Sequence, residues 1–253
     1  MALVFPVIDF IEAENKRNPI VGEVLFMGKQ ETFGRELTLR PEAHIRTLDW
    51  SPHFGADLVW DLGKPVPEEL RNRFDFIYDG GSLDNMFNPA EGIMNMARML
   101  RPMGRMVCLA CSSAFSMPYT MFSPGWFYDY FEANNFDGWI VHLCKYHGEA
   151  ELLRGPWSFY STSDNLNRPA PLSQGDDWVI LSLAQKGPAS TSDVQPIQFQ
   201  YRPTSQPPSS QQSAPREPSC QPQEPLQPLL DQLGGYSFDH CSGLAGPRAL
   251  TSG

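Results

Sequence analysis

The spacing of apolar residues changes several times along the chain, and each change marks an element. Residues 73–110 (RFDFIYDGGSLDNMFNPAEGIMNMARMLRPMGRMVCLA) carry the clearest succession. Phe74 to Tyr78 is a short apolar run ending in Asp79-Gly80-Gly81, which predicts a strand that stops at a loop. Asn88-Pro89-Ala90-Glu91 opens a helix. Asn suits the N-cap, Pro at the first position has no N–H to lose, and Glu reaches back to the cap. Ile93, Ala97 and Leu100, flanked by Met94 and Met96, share one face at helical spacing. Pro102 and Gly104 end the helix, and Arg105 to Ala110 restarts as a buried strand. Strand, helix and strand form a crossover, which implies two parallel strands of an open α/β sheet. Ligands of such sheets bind at the carboxyl ends of the strands.

The remaining pattern extends this sheet on both sides. Residues 5–16 read as an amphipathic helix stopped at Asn18-Pro19, and residues 21–27 (VGEVLFM) as a first strand. A polar loop at 28–34 leads to a predicted short helix ending near Arg40-Pro41. His44 to Asp49 forms a second strand with an acid at its end, 56–60 a short extended piece, and 67–73 a helical turn. Ser123-Pro124-Gly125 caps another helix, whose apolar face is Trp126, Phe127, Tyr130 and Phe131. Strands follow at 139–146 and 178–185, pairing antiparallel at one edge of the sheet. The long segment between them, with Arg154, Trp157 and Tyr160, is the expected substrate lid.

Composition changes the picture mainly at the C-terminus. Eleven of the 24 prolines fall within 187–253, mixed with Gln and Ser. Such a stretch buries too little apolar surface to offset its ordering entropy, so a disordered tail is expected after a domain spanning 1–186. The net charge of -10 disfavours nucleic acid and anionic membrane as partners, since both demand clustered Lys and Arg. The apolar start is too short for a membrane span and is broken by Asp9, Glu12 and Glu14. Five scattered cysteines without a secretory signal read as reduced thiols of a cytoplasmic protein. Cys108 and Cys111 lie three apart on a strand and so point to opposite faces, which gives no reason to expect a metal there. His53, His142 and His147 show no partner in the sequence and read as structural.

Residues 74–110 resemble the central strand, helix and next strand of the class I S-adenosylmethionine-dependent methyltransferases, in which an FDxIxxxxxLxHxxNPxxxLxxxxRxLxPGG-like run is common. SPGWFYDYFEANNFD resembles the family's later helix and its turn before the sixth strand. The resemblance covers residues 1–186. It implies a Rossmann-like α/β fold: an open, mostly parallel seven-stranded sheet with helices on both faces and an antiparallel last strand. It also implies S-adenosylmethionine as cofactor and methyl transfer to a small-molecule acceptor.

The resemblance places Met27, Gly28, Lys29 and Gln30 against the methionine part of the cofactor. Asp49, with Trp50 beside it, falls on the acid that accepts from both ribose hydroxyls, a bidentate role suited to a carboxylate. Asp61 and Leu62 fall near the adenine, and Asp79 and Gly80 near the methyl group. Asp84 and Asp79 are the candidate general bases, needed only for a hydroxyl or protonated amine acceptor. Asp49, Asp61 and Asp79 each also fit plain turn chemistry. The first loop departs from the family's acid-GxGxG pattern: Phe26 replaces the acid, Gln30 and Thr32 replace two glycines, and Gly28 alone remains. That departure motivates an alternative, a non-catalytic methyltransferase-like binding module. A nicotinamide-dependent oxidoreductase is disfavoured, because its pyrophosphate needs GxGxxG more strictly.

Overall fold

The computed structural model describes residues 3–29, 33–113, 118–161 and 176–202. Its elements, in chain order, are α1 (Phe5–Arg17), β1 (Gly22–Met27), β2 (Ala43–Asp49), β3 (Leu58–Val59), β4 (Phe74–Gly80), α2 (Pro89–Met99), β5 (Leu100–Cys111), α3 (Pro124–Ala133), β6 (Gly138–Tyr146), α4 (Gly148–Arg154), β7 (Ser158–Ser161) and β8 (Asp177–Gln185). The strands form one sheet in the order β3-β2-β1-β4-β5-β8-β6-β7. The first five in that order run parallel, β8 is antiparallel to both β5 and β6, and β7 is antiparallel to β6.

The apolar runs become strands because both sheet faces are covered, so every position along a strand meets a core. On β1, Leu25 and Met27 enter one cluster with Ile77, Met106 and the buried faces of α2 and α3. Val24 and Phe26 enter the other, with Phe76, Tyr78 and the inner face of α1. The crossover through β4, α2 and β5 forms as its sequence predicts, although α2 ends at Met99, and Leu100, Pro102 and Gly104 belong to β5 rather than to the helix and its stop. Asn88 caps α2 by accepting from the Glu91 N–H at 3.4 Å, and β4 pairs in parallel with β5. Arg105 on β5 reaches α1: its guanidinium pairs with the fully buried Glu14 and donates to the Asn18 and Pro19 carbonyls at 3.0 and 3.1 Å.

Four features differ from expectation. No helix forms in 33–41. Leu37 and Leu39 stand two apart and both pack toward α1, an extended rather than helical spacing, while Arg35 bridges Asp9 and Glu12 of α1 at 2.6 and 3.0 Å. The terminal strands β6 and β8 pair antiparallel as expected, but β7 rather than either of them forms the edge of the sheet. The described sheet has eight strands, not seven, because part of the expected lid becomes α4 and β7. There Trp157 is 1% exposed against Tyr146, and its indole N–H donates to the Glu151 carbonyl at 2.9 Å.

The fourth difference concerns residues 187–202, which lie on the tail side of the expected boundary yet run along α3. Asn134 is fully buried there. Its Oδ1 accepts from Val194 N–H at 3.0 Å and from Thr191 Oγ1 at 2.9 Å, and its Nδ2 donates to the Val194 carbonyl at 2.9 Å. Arg202 closes the strap onto Asp129 at 2.6 Å and onto Glu132. Residues 203–253 of the expected tail lie outside the described residues.

Candidate functional site

Parallel strands place their carboxyl ends side by side, and the sequence-predicted residues gather along that edge. Met27 at the end of β1 is level with Leu48 on β2 and Asp79 on β4. Gly28 follows at φ +71°, a conformation that favours glycine, and donates its N–H to the Leu48 carbonyl at 2.6 Å. The chain therefore turns sharply out of the sheet at the one glycine that the first loop retains. Lys29 is exposed, and Gln30 falls outside the described residues.

Asp49 ends β2 at 8% exposure, and its carboxylate makes no hydrogen bond or ion pair among the described residues. Its backbone carbonyl accepts from Trp60 N–H at 2.9 Å, fixing the acid between β1 and β3. Neither of its oxygens is fully enclosed, so the carboxylate keeps an open face where a hydroxyl-bearing ligand would find two acceptors. Trp50 beside it is 71% exposed, with its ring 6.3 Å from that of Phe54. Asp61 is differently employed. Its Oδ1 accepts from Gly63 N–H at 3.0 Å in an Asx turn, and its Oδ2 stands 3.6 Å from Lys64 Nζ at the surface. Leu62 turns inward to the core that holds Leu25 and Met27, and its carbonyl accepts from Asn95 Nδ2 at 2.7 Å.

The acids after β4 are buried and hydrogen-bonded. Asp79 accepts from Ser82 N–H at 2.7 Å and from Leu83 N–H at 3.3 Å, closing the Gly80-Gly81 turn in which Gly81 has φ +105°. Burial pushes its pKa up to about 6, with the charge of Asp84 adding to the rise and those hydrogen bonds opposing it. Asp84 is 3% exposed. One of its oxygens accepts from Cys111 N–H at 3.1 Å, the other from Asn85 Nδ2 at 3.1 Å, and its backbone carbonyl from Thr120 N–H at 3.1 Å. Burial raises the Asp84 pKa too, and burial together with Asp84 raises that of the Cys111 thiol, which stays protonated and unreactive.

Asp84 thus ties the loop after β4 to the end of β5 and to the segment beyond it. Nothing in the sequence signals that link, because its partners lie 27 residues away or further. Tyr146, 2% exposed at the carboxyl end of β6, carries no such signal either, and its hydroxyl has no hydrogen-bond partner among the described residues. No group of three metal-ligating side chains occurs among the described residues, and no described helix is long and apolar enough to cross a membrane.

No family model matches this chain, and no curated protein matches it. Solved structures do resemble it. Phosphoethanolamine N-methyltransferase 2 of Haemonchus contortus, in complex with phosphomonomethylethanolamine and S-adenosylhomocysteine, is 10% identical over 70% of this chain and 52% of its own, with a TM-score of 0.46. The chain therefore spans about half the length of that enzyme. The YcgJ protein of Bacillus subtilis is 13% identical over 71% of this chain and 98% of its own, with a TM-score of 0.44. A SAM-dependent methyltransferase of Thermotoga maritima is 11% identical over 70% and 88%, also at 0.44. Fold does not carry function by itself, so the functional reading rests on the site. The strand senses, with β8 antiparallel to its neighbours, are those that the resemblance of residues 1–186 implies, and the fold is a Rossmann-like open α/β sheet.

Proposed function

We propose that this chain binds S-adenosylmethionine across the carboxyl ends of β1 to β4 and transfers its methyl group to a small-molecule acceptor. The observation that carries the reading is Asp49, a largely buried residue at the ligand edge of the parallel half-sheet whose carboxylate keeps an open face and has no partner among the described residues. It suits two vicinal ribose hydroxyls, each donating to one oxygen. Gly28, in its positive-φ turn, lets backbone approach a ligand above β1. When bound, the sulfonium supplies a methyl group that an acceptor lone pair displaces in line, the carbon–sulfur pair returning to sulfur. The chain's contribution is then placement of the two reactants. Asp79 and Asp84 serve that end in this reading, because their carboxylates hold the loop after β4 through backbone N–H groups. The acceptor supported best is one that reacts without a protein base.

Calorimetry on the full chain tests the proposal with S-adenosylmethionine and S-adenosylhomocysteine, alongside NAD and NADP. Both sulfur compounds should bind, and the nicotinamides should not. Asp49→Asn keeps the shape and removes the charge, so affinity should fall about ten- to a hundredfold, the range for a hydrogen bond to a charged group. No heat with either sulfur compound at millimolar concentration would end the reading.

The involvement of both acids in backbone hydrogen bonds also favours a second reading, a binding module without catalysis. It requires the same Asp49-dependent affinity with no label passing from S-adenosyl-[methyl-14C]methionine to a small-molecule extract.

A further inference from the structure

Two aromatic side chains stand almost fully in water beside the loop after β4. Phe87 is 89% exposed and Tyr119 is 73% exposed, with ring centroids 6.1 Å apart at 80°. Met121, 50% exposed, follows on the same segment as Tyr119. The backbone on either side of each ring is pinned by hydrogen bonds. Ahead of Phe87, Met86 N–H donates to the Leu83 carbonyl at 3.3 Å, and behind it Asn88 caps α2. On the other side, Thr120 N–H is held by the Asp84 carbonyl at 3.1 Å and Phe122 N–H by the Cys111 carbonyl at 2.8 Å. The same Asp84 that ties β4 to β5 therefore sets the two rings side by side.

We propose that Phe87 and Tyr119 form the acceptor platform of this site and receive a neutral, flat aromatic ring. This rests on the proposed methyl transfer for its purpose, while the binding itself stands on the ring pair. An edge-to-face pair leaves a ring face open to a third ring in the same geometry. Charge narrows the ligand further: residues 85–90 and 118–124 contain no Lys, Arg, Asp or Glu, and the neighbouring Asp84 is buried. No charged side chain there would pair with a phosphate, a carboxylate or an ammonium group, and cation–π contact of an ammonium with rings this exposed is weak. Size argues for a small molecule, since a stable protein interface engages about 20–30 residues a side and this patch has three apolar side chains.

Saturation-transfer NMR with indole on the full chain tests the platform, with myo-inositol as the polar control and with S-adenosylhomocysteine absent and then present. Indole should be saturated and inositol should not. Phe87→Ala and Tyr119→Ala should each reduce the indole signal roughly threefold or more while leaving the melting temperature unchanged, as expected for exposed rings. Indole unsaturated by the wild type, or equally saturated by both variants, overturns the proposal. So does sedimentation showing a wild-type dimer that either variant converts to a monomer, because the rings would then pair with a second copy. Calorimetry of S-adenosylhomocysteine on the same samples keeps the two ideas apart. Loss of that binding with indole saturation intact refutes the cofactor reading alone, and the converse refutes the platform alone.

Discussion

Replacing Arg105 with Met should destabilise the domain severely, and replacing Glu14 with Leu in the same molecule should restore most of the loss. Glu14 is fully buried in α1, and Arg105 on β5 is 6% exposed. Without the guanidinium, the only remaining partner of the carboxylate among the described residues is Arg17, whose side chain is 51% exposed. The carbonyls of Asn18 and Pro19 lose their donors at the same time. Breaking a buried pair from one side costs about 3–5 kcal/mol, because a charge is left in the interior. At about 2–4 °C per kcal/mol for a domain of this size, the melting temperature should fall by roughly 6–20 °C. Substituting both partners by apolar groups of similar volume is often neutral or stabilising. Urea unfolding of the wild type, both single variants and the double variant, followed by far-ultraviolet circular dichroism, gives the coupling directly. A cost below about 1 kcal/mol for Arg105→Met, or a double variant no more stable than that single one, would refute the reasoning.

Other consequences are equally measurable. Both ring nitrogens of His142 are buried without a partner, and burial holds its pKa down to about 4. The unfolded chain, with a His near 6.5, binds more protons between those values, so this residue lowers stability as pH falls from about 6.5 toward 4. His142→Leu should therefore gain about 2 kcal/mol on the wild type between pH 6.5 and pH 5, read from paired denaturant melts. Asp79 has the opposite sign: with its pKa at about 6 against 3.8 unfolded, it costs stability as pH rises through that window. Asp79→Asn should flatten that part of the stability profile measured by the same melts. Gly22→Ala should cost at least about 1–3 kcal/mol in urea melts, because φ is +81° and the new Cβ would collide with the Asp75 carboxylate. A chain ending at Lys186 should melt well below one ending at Arg202, since it leaves the buried amide of Asn134 without Thr191 and Val194.

The parts legible in the sequence are those whose determinants are local. The Asn88-Pro89-Glu91 start of α2 and the apolar run of β4 carry their own instructions, so the crossover and its ligand edge emerge at once. Residues 33–41 misled because helix and extended chain compete closely there, and the contest is decided by α1, through Arg35 to Asp9 and Glu12 and through the packing of Leu37 and Leu39. Pro-containing 187–202 looks like tail by composition, and only Asn134 and Asp129 on a distant helix turn it into a strap. The site shows the same division. Asp49 lies at a strand end that periodicity locates, whereas the tasks of Asp79 and Asp84 depend on N–H groups whose positions only the folded loop defines.

The place of β8 has a consequence for how the molecule is made. Among the described residues it is the last strand in the sequence, yet β5 and β6 reach each other only through it. Until Asp177–Gln185 has left the ribosome, β5 presents an unpaired edge and the β6–β7 hairpin has no sheet to join. The nascent chain must therefore carry its half-built sheet as an open template, at the stage when unpaired strands are most prone to wrong partners. The joining of β5 to β6 within one sheet can only follow the emergence of β8.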